Sequence, residues 1–369
     1  MKHRYLCAVL LLSAVLLSGG CTFQAVQEES TAFYSGSVRD ELYQAIYSAL
    51  LNNREAVTVS GAPDADLLSG VCMQITQDHP EIFWFDGWSG TTTDSSKTDI
   101  ALAVSGQLPA SARSSMQQEL TESADTVLAG IPAGADDFEK ALYVHDYLVA
   151  NTVYSTEDAQ GGSAYGCLVS HTAYCEGYSR AFLLLMNRLG IRAGICTGTA
   201  KDANHAWNYI MLGGDYYWVD VTWDDPVMET PGDELLCHYY CFISDEMLNR
   251  THQLGDTQLF VPECSSMEMN YYMHTGRYLA DYDRASALAL FEAQIRQQAP
   301  ALELMFASED ALNAAVQDLF DGQHFWDITD LPSDLDYCSY SVCPESAALH
   351  VALIFQTSPE AEPAPEEST

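Results

Sequence analysis

Residues 174–190 read YCEGYSRAFLLLMNRLG, and residues 204–226 read NHAWNYIMLGGDYYWVDVTWDDP. The first stretch decides the fold. From 176 to 189 the residues Tyr178, Phe182, Leu183, Leu184, Leu185 and Met186 leave almost no polar face, so this segment is expected to be a central helix buried nearly all round. Gly190 is placed to stop it. In the second stretch two apolar runs flank Gly213-Gly214-Asp215, a tight-hairpin signal. Strands are expected at about 206–212 and 216–222, preceded by one at about 191–198. Cys175 opens the helix, where the positive dipole end and unpaired backbone N–H groups favour a thiolate. His205 lies at the mouth of the first hairpin strand and Asp220 on the return strand. With the turn at Gly213-Gly214, His205 falls roughly opposite Thr222 and Asp220 opposite Trp207, within diagonal reach on one face. A carboxylate beside an imidazole fixes its tautomer and steadies the imidazolium formed when the ring takes a thiol proton. Cys175, His205 and Asp220 are therefore the expected nucleophile, base and orienter.

The chain around these residues has 369 positions, 52 Asp and Glu against 15 Lys and Arg, and a formal charge of −37. That balance excludes nucleic acid as a partner, because a phosphate backbone needs a basic footprint. It also disfavours direct adsorption to anionic lipid. A hydrophobic share of 48% excludes a mainly disordered chain.

Lys2, His3 and Arg4 precede thirteen largely apolar residues from Tyr5 to Leu17, too short to span a bilayer and suited to a signal peptide. Leu17-Ser18-Gly19-Gly20-Cys21 resembles a bacterial lipobox, with Ser18 where Leu is preferred. The expectation is an exported protein anchored to the outer face of the cytoplasmic membrane through lipidated Cys21, with ordinary secretion and a free Cys21 as the alternative. Removing residues 1–20 would take away Lys2 and Arg4 and deepen the charge further.

The remaining organisation reads as a signal peptide at 1–20, a spacer at 21–37 and an N-terminal α+β region at 38–130. The catalytic domain follows at 131–262, then a C-terminal α+β domain at 263–357 and a disordered acidic tail at 358–369. Within it, helices are expected near 37–50, 65–76, 111–128, 136–150, 283–298 and 309–320. Pro80 to Phe85 reads as a buried strand, Gly90 to Thr98 as a turn, and three strands are expected before Phe355.

Several pieces between Phe138 and Pro226 recur as an ordered set: Tyr147-Leu148 with Tyr154, Ala164-Tyr165-Gly166, Cys175-Glu176-Gly177-Tyr178 with Ala181-Phe182, Leu189-Gly190-Ile191, His205-Ala206-Trp207-Asn208, and Val219 to Pro226. The set resembles the transglutaminase-like superfamily, a Cys-His-Asp thiol fold related in architecture to papain-like proteases. The resemblance implies an α+β fold in which a buried helix carrying the cysteine packs on an antiparallel sheet, flanked by smaller α/β or α+β regions. It implies Cys175 as nucleophile, His205 as base then acid, and Asp220 as orienter. It also implies thiol-dependent acyl transfer on amide or peptide carbonyls. Hydrolysis is favoured over crosslinking, because nothing in the sequence marks an amine site. A true transglutaminase, or a silent module binding cell-wall peptide or protein, are the alternatives.

Other side chains could serve the same site or a second one. Tyr165, or Tyr154, is a candidate second oxyanion donor, and Trp207 and Trp218 are candidates to line the substrate or to pack in the core. His145, on the apolar face of its helix, reads as a hydrogen-bonded core histidine beside Asp146. Cys237, His238, Cys241 and His252 invite a zinc reading but lack a second tight ligand pair, so no metal and no cofactor is assigned. Cys338 and Cys343 bracket an expected hairpin and could form a disulfide. Cys72, Cys167, Cys196 and Cys264 read as buried thiols.

Overall fold

The computed structural model describes residues 37–94, 96–105, 108–225, 236–256 and 259–355. The signal segment, Cys21, the spacer as far as residue 36, Pro226 and the acidic tail lie outside the described residues. Among the described residues no helix is long and apolar enough to cross a membrane.

The chain begins with α1 (Ser37–Leu51), β1 (Ala56–Ser60), α2 (Ala65–Asp78), β2 (Phe85–Asp94) and β3 (Lys97–Val104). The three strands form an antiparallel sheet in the order β1-β3-β2. β1 is the alternating run Ala-Val-Thr-Val-Ser, which suits a half-buried pleat. The expected strand at Pro80–Phe85 is corrected: Ile82, Phe83 and Trp84 are buried as a turn-rich wedge, and pairing starts only at Phe85. Ile82 N donates to His79 O, a local turn bond that takes the place of a ladder bond. The expected turn at Gly90–Thr98 is mostly strand, since β2 and β3 pair down to Asp94 and Lys97.

The central part runs through α3 (Ala110–Ala129), α4 (Asp137–Asn151), β4 (Val153–Tyr154), α5 (Ala164–Leu168), β5 (Thr172–Ala173) and α6 (Cys175–Leu189). It continues through β6 (Ala193–Ala200), β7 (Ala203–Leu212), β8 (Asp215–Val219), β9 (Cys241–Ile243), α7 (Asp245–Leu248) and β10 (His252–Leu254). α4 starts on a reciprocal capping box between Asp136 and Glu139. α6 ends on Gly190 in the left-handed region, with φ of 72°. The five strands β10-β6-β7-β8-β9 are antiparallel throughout, and α6 lies across β6 and β7 with Phe182, Leu185 and Met186 fully buried. This is a buried cysteine-bearing helix against an antiparallel sheet.

The last part holds α8 (Tyr271–His274), β11 (Tyr278–Leu279), α9 (Arg284–Arg296), β12 (Leu302–Phe306), α10 (Glu309–Val316), β13 (Leu335–Cys343) and β14 (Ala348–Phe355). Its sheet has the order β11-β12-β14-β13. Only two strands follow α10, because residues His324–Asp327 form a tight helical turn. One apolar core runs from Leu42 to Tyr272 and also takes in Met305, Cys343 and Ala348. A second, from Ala287 to Val351, lies within the C-terminal part.

The disulfide that the sequence leaves open between Cys338 and Cys343 is not formed. Both residues sit on β13 and are free thiols. Five steps along a strand separate their Cα atoms by about 16 Å, far beyond the roughly 7 Å a disulfide can bridge.

Candidate active site

The site begins at the first turn of α6. Its N-cap, Tyr174, makes no side-chain capping bond, so the backbone N–H groups around Cys175 have no side chain closing them off. Tyr174 N instead donates to Gly161 O at 3.0 Å, tying the loop before α5 to the helix start. Gly177 permits this contact, because a Cβ there would sit 2.2 Å from Gly161 O and 2.9 Å from the Ala173 Cβ. Of the nine described cysteines, only Cys175 and Cys338 are not buried, which leaves the Cys175 thiol open to reagents that cannot reach the others in the core.

β7 brings His205 to this thiol from the sheet. Its Nε2 lies 2.7 Å from Asp220 Oδ2, which leaves the other ring nitrogen for the Cys175 thiol, its second hydrogen-bond partner. Asp220 follows directly on β8, whose Val219 pairs with Asn208 of β7, so the register expected from the Gly213-Gly214 turn is the one observed. Asp220 is itself fixed from several sides. Oδ1 accepts Thr222 N at 3.1 Å and Trp223 N at 3.2 Å, and its own N–H donates to Tyr240 O at 3.2 Å. Burial works against the charged form of His205, but the Asp220 carboxylate and the Cys175 thiolate outweigh it and raise the ring to about 10. Burial likewise opposes ionised Asp220, yet the facing imidazoles hold its carboxyl well below the usual carboxylate range.

One member of this site was missed as such. His252, from the edge strand β10 and paired with Ala200 of β6, places Nε2 3.0 Å from Asp220 Oδ2. It is fully buried, and its Nδ1 lies 2.8 Å from Thr251 Oγ1. Sequence reading met His252 only as a zinc candidate, because nothing local announces that a distant edge strand returns beside Asp220.

The other candidates fall differently. Trp207 and Trp218 are both fully buried, and Trp218 Nε1 donates to Asp245 Oδ1 at 2.7 Å, so they pack the core and present no surface to a substrate. The half-buried tryptophan beside the site is Trp223, 5.8 Å from the His205 ring, with Lys201 Nζ 5.1 Å from its ring centroid. Tyr165 stacks on Phe83 and donates its hydroxyl to Glu119 at 2.5 Å, so that hydroxyl is already committed away from Cys175. Tyr154 is exposed, and burial together with the neighbouring Cys175 thiolate pushes its hydroxyl above the ordinary phenol value. Cys167 pairs with Thr152 Oγ1 at 3.3 Å, and burial pushes its thiol up to about 12.

A second polar chain lies below the site. His145 is fully buried, with Nδ1 2.9 Å from Asp146 Oδ1 and Nε2 3.0 Å from Asp224 Oδ2. Both oxygens of Asp224 accept Tyr240 N, at 2.9 and 3.1 Å, and burial pushes its carboxyl up to about 6. His238 continues the chain, 3.0 Å from Asp146 and 2.9 Å from Glu303 of β12. The residues once grouped for zinc are thus divided, His238 to this chain and His252 to Asp220. Among the described residues, ligand atoms converge within 4.8 Å in two groups, His145/Asp146/His238 and His205/Asp220/His252. In both, the converging nitrogens already bond a shared carboxylate, so hydrogen bonding alone accounts for the geometry.

Residues 125–222 match the family model of the transglutaminase-like superfamily. Among solved structures, the chain is similar to a TGase at 12% identity, over 48% of this chain and 54% of that one, with a TM-score of 0.28. It is also similar to a candidate cysteine protease from Cytophaga hutchinsonii at 16% identity, over 36% of this chain and 55% of that one, with a TM-score of 0.25. The chain thus spans about half the length of each structure. None of the curated proteins compared with it matches. The segment 125–222 that matches the transglutaminase-like superfamily model also holds Cys175, His205 and Asp220.

Proposed function

We propose that this protein is a thiol-dependent acyl-transfer enzyme acting on amide or peptide carbonyls, with water as the usual acceptor. The observation that carries the reading is His205, held between the Cys175 thiol and the Asp220 carboxylate at 2.7 Å. A ring raised to about 10 keeps its proton at neutral pH, the form that pairs with a thiolate. The Cys175 thiolate attacks the carbonyl carbon, and the oxyanion forms by the backbone N–H groups at the start of α6. The C–N bond then breaks as His205 protonates the departing amine, leaving a thioester on Cys175. His205 next removes a proton from water, the hydroxide adds to the thioester, and the acid leaves as the thiolate–imidazolium pair is restored.

The peptide or protein substrate meets the enzyme outside the cytoplasmic membrane, cell-wall peptide being one candidate. This placement rests on the charged start, apolar run and Cys21 of residues 1–21. One experiment separates the outcomes: wild type and Cys175→Ala are incubated with cell-wall peptide and protein substrates plus a primary amine, and product masses are read. Addition of water by wild type alone supports hydrolysis. Incorporation of the amine points to transamidation, and identical masses from both proteins would remove the enzymatic reading in favour of a binding module.

A further inference from the structure

We infer that His252 is a positioning residue of this site: an imidazole that clamps Asp220 and shares the carboxylate oxygen on which His205 depends. Oδ2 of Asp220 lies 2.7 Å from His205 Nε2 and 3.0 Å from His252 Nε2. An ionised carboxylate only accepts, so both ring nitrogens must carry their hydrogens toward it. On the far side of His252, Nδ1 lies 2.8 Å from Thr251 Oγ1, which also lies 3.4 Å from Leu248 O.

The surroundings hold that ring in one place. The Trp223 ring lies 4.7 Å from it, the Trp207 ring 5.0 Å and the Tyr240 ring 5.5 Å, and the residue has almost no exposure. The titratable groups that face the two imidazoles are Cys175 from α6, Asp220 after β8 and Tyr240 before β9. The His252 ring also lies 5.5 Å from the His205 ring, so the two imidazoles meet both directly and through Asp220.

Two consequences follow. The second donor fixes the rotation of the carboxylate, so Oδ2 stays aimed at His205. It also divides the negative charge of Oδ2 between two N–H groups, which limits how tightly His205 keeps its proton. An acid that must release a proton to a leaving amine works better when it is not held too strongly.

The consequence for turnover rests on the acyl-transfer reading, but the test does not. The full chain is labelled at its histidines, and the His205 ring is titrated by NMR, its signal assigned by its loss in His205→Gln. His252→Leu keeps the volume and removes the donor; His252→Gln keeps an N–H within reach of Asp220. The expected result is a rise of the His205 midpoint by about half a pH unit or more in His252→Leu, and no change in His252→Gln. In both variants iodoacetamide should alkylate Cys175 at neutral pH within about two-fold of wild type, because alkylation needs only the thiolate. A midpoint that stays or falls in His252→Leu, or moves equally in both variants, overturns the inference. If His252→Leu does not fold, His252→Asn, too short to reach Asp220, takes its place against His252→Gln. A wild type whose Cys175 is alkylated no faster than its other thiols would defeat the acyl-transfer reading and leave the His205 comparison intact.

Discussion

Asp220 accepts four N–H groups, two on each oxygen, and its charge is what keeps the buried His205 ring protonated. The sign of the pH dependence follows. His205 in the folded chain lies at about 10, above its ordinary value of about 6.5. It therefore contributes stability that is complete below about pH 6.5 and is lost as pH rises through the folded value. Asp220 runs the other way, contributing above the ordinary carboxylate value and losing that contribution as the pH falls toward its depressed one. Asp220→Asn keeps the shape and removes the charge. The His205 midpoint should fall from about 10 to at or below about 6.5, and turnover in the product-mass assay should drop by about a hundred-fold or more. A His205 titration unchanged by Asp220→Asn would show that the carboxylate is not the cause of its basicity.

The helix α6 and the loop before it form the element that carries Cys175. Its burial is legible in the run from Tyr178 to Met186, and its end in Gly190. What could not be read is why residue 177 is glycine, since that depends on the Gly161 carbonyl, sixteen positions earlier. Gly177→Ala should force the loop off the helix start at a cost of roughly 1–3 kcal/mol, read as a lower midpoint in urea. Because the strain falls two residues from Cys175, alkylation of that thiol should change as well. Phe182→Ala, deeper in the same helix, should cost about 3–5 kcal/mol by opening a cavity while leaving the alkylation profile of the folded fraction in place. β2 and β3 give the converse lesson. Pro80 to Trp84 carries the composition of a buried strand, yet burial was achieved by a turn, because apolar content reports burial and not backbone pairing.

At the scale of the molecule, the chain Asp224–His145–Asp146–His238–Glu303 joins the segment just after Asp220 to β12 of the C-terminal sheet. Burial opposes a charged His238, but Glu303 and Asp146 raise it to about 10. Glu303 also accepts the hydroxyls of Tyr271 at 2.8 Å and Tyr272 at 3.4 Å and Arg277 Nη1 at 3.2 Å, so with His238 one buried carboxylate serves four side chains. Glu303→Gln leaves His238 and Arg277 short of a counter-charge. It should destabilise the fold by about 3–5 kcal/mol, seen in thermal or urea unfolding. Equal stability of the variant and wild type would show that the chain contributes no more than its packing.

The sequence by itself determined the α+β class, the buried helix opened by Cys175, the hairpin at Gly213-Gly214 and the facing of His205 and Asp220. The last three follow from local periodicity and from the pairing arithmetic of a tight turn, which need no knowledge of distant segments; the class follows from the resemblance carried by the ordered motif set. The tertiary structure alone decided that His252 shares Asp220, that Trp207 and Trp218 are core while Trp223 sits at the site, and that Cys338 and Cys343 lie along one strand. Each depends on where a remote strand is laid down or on which face of a sheet is covered. Those placements are set by the packing of the whole chain, and no window of neighbouring residues contains them.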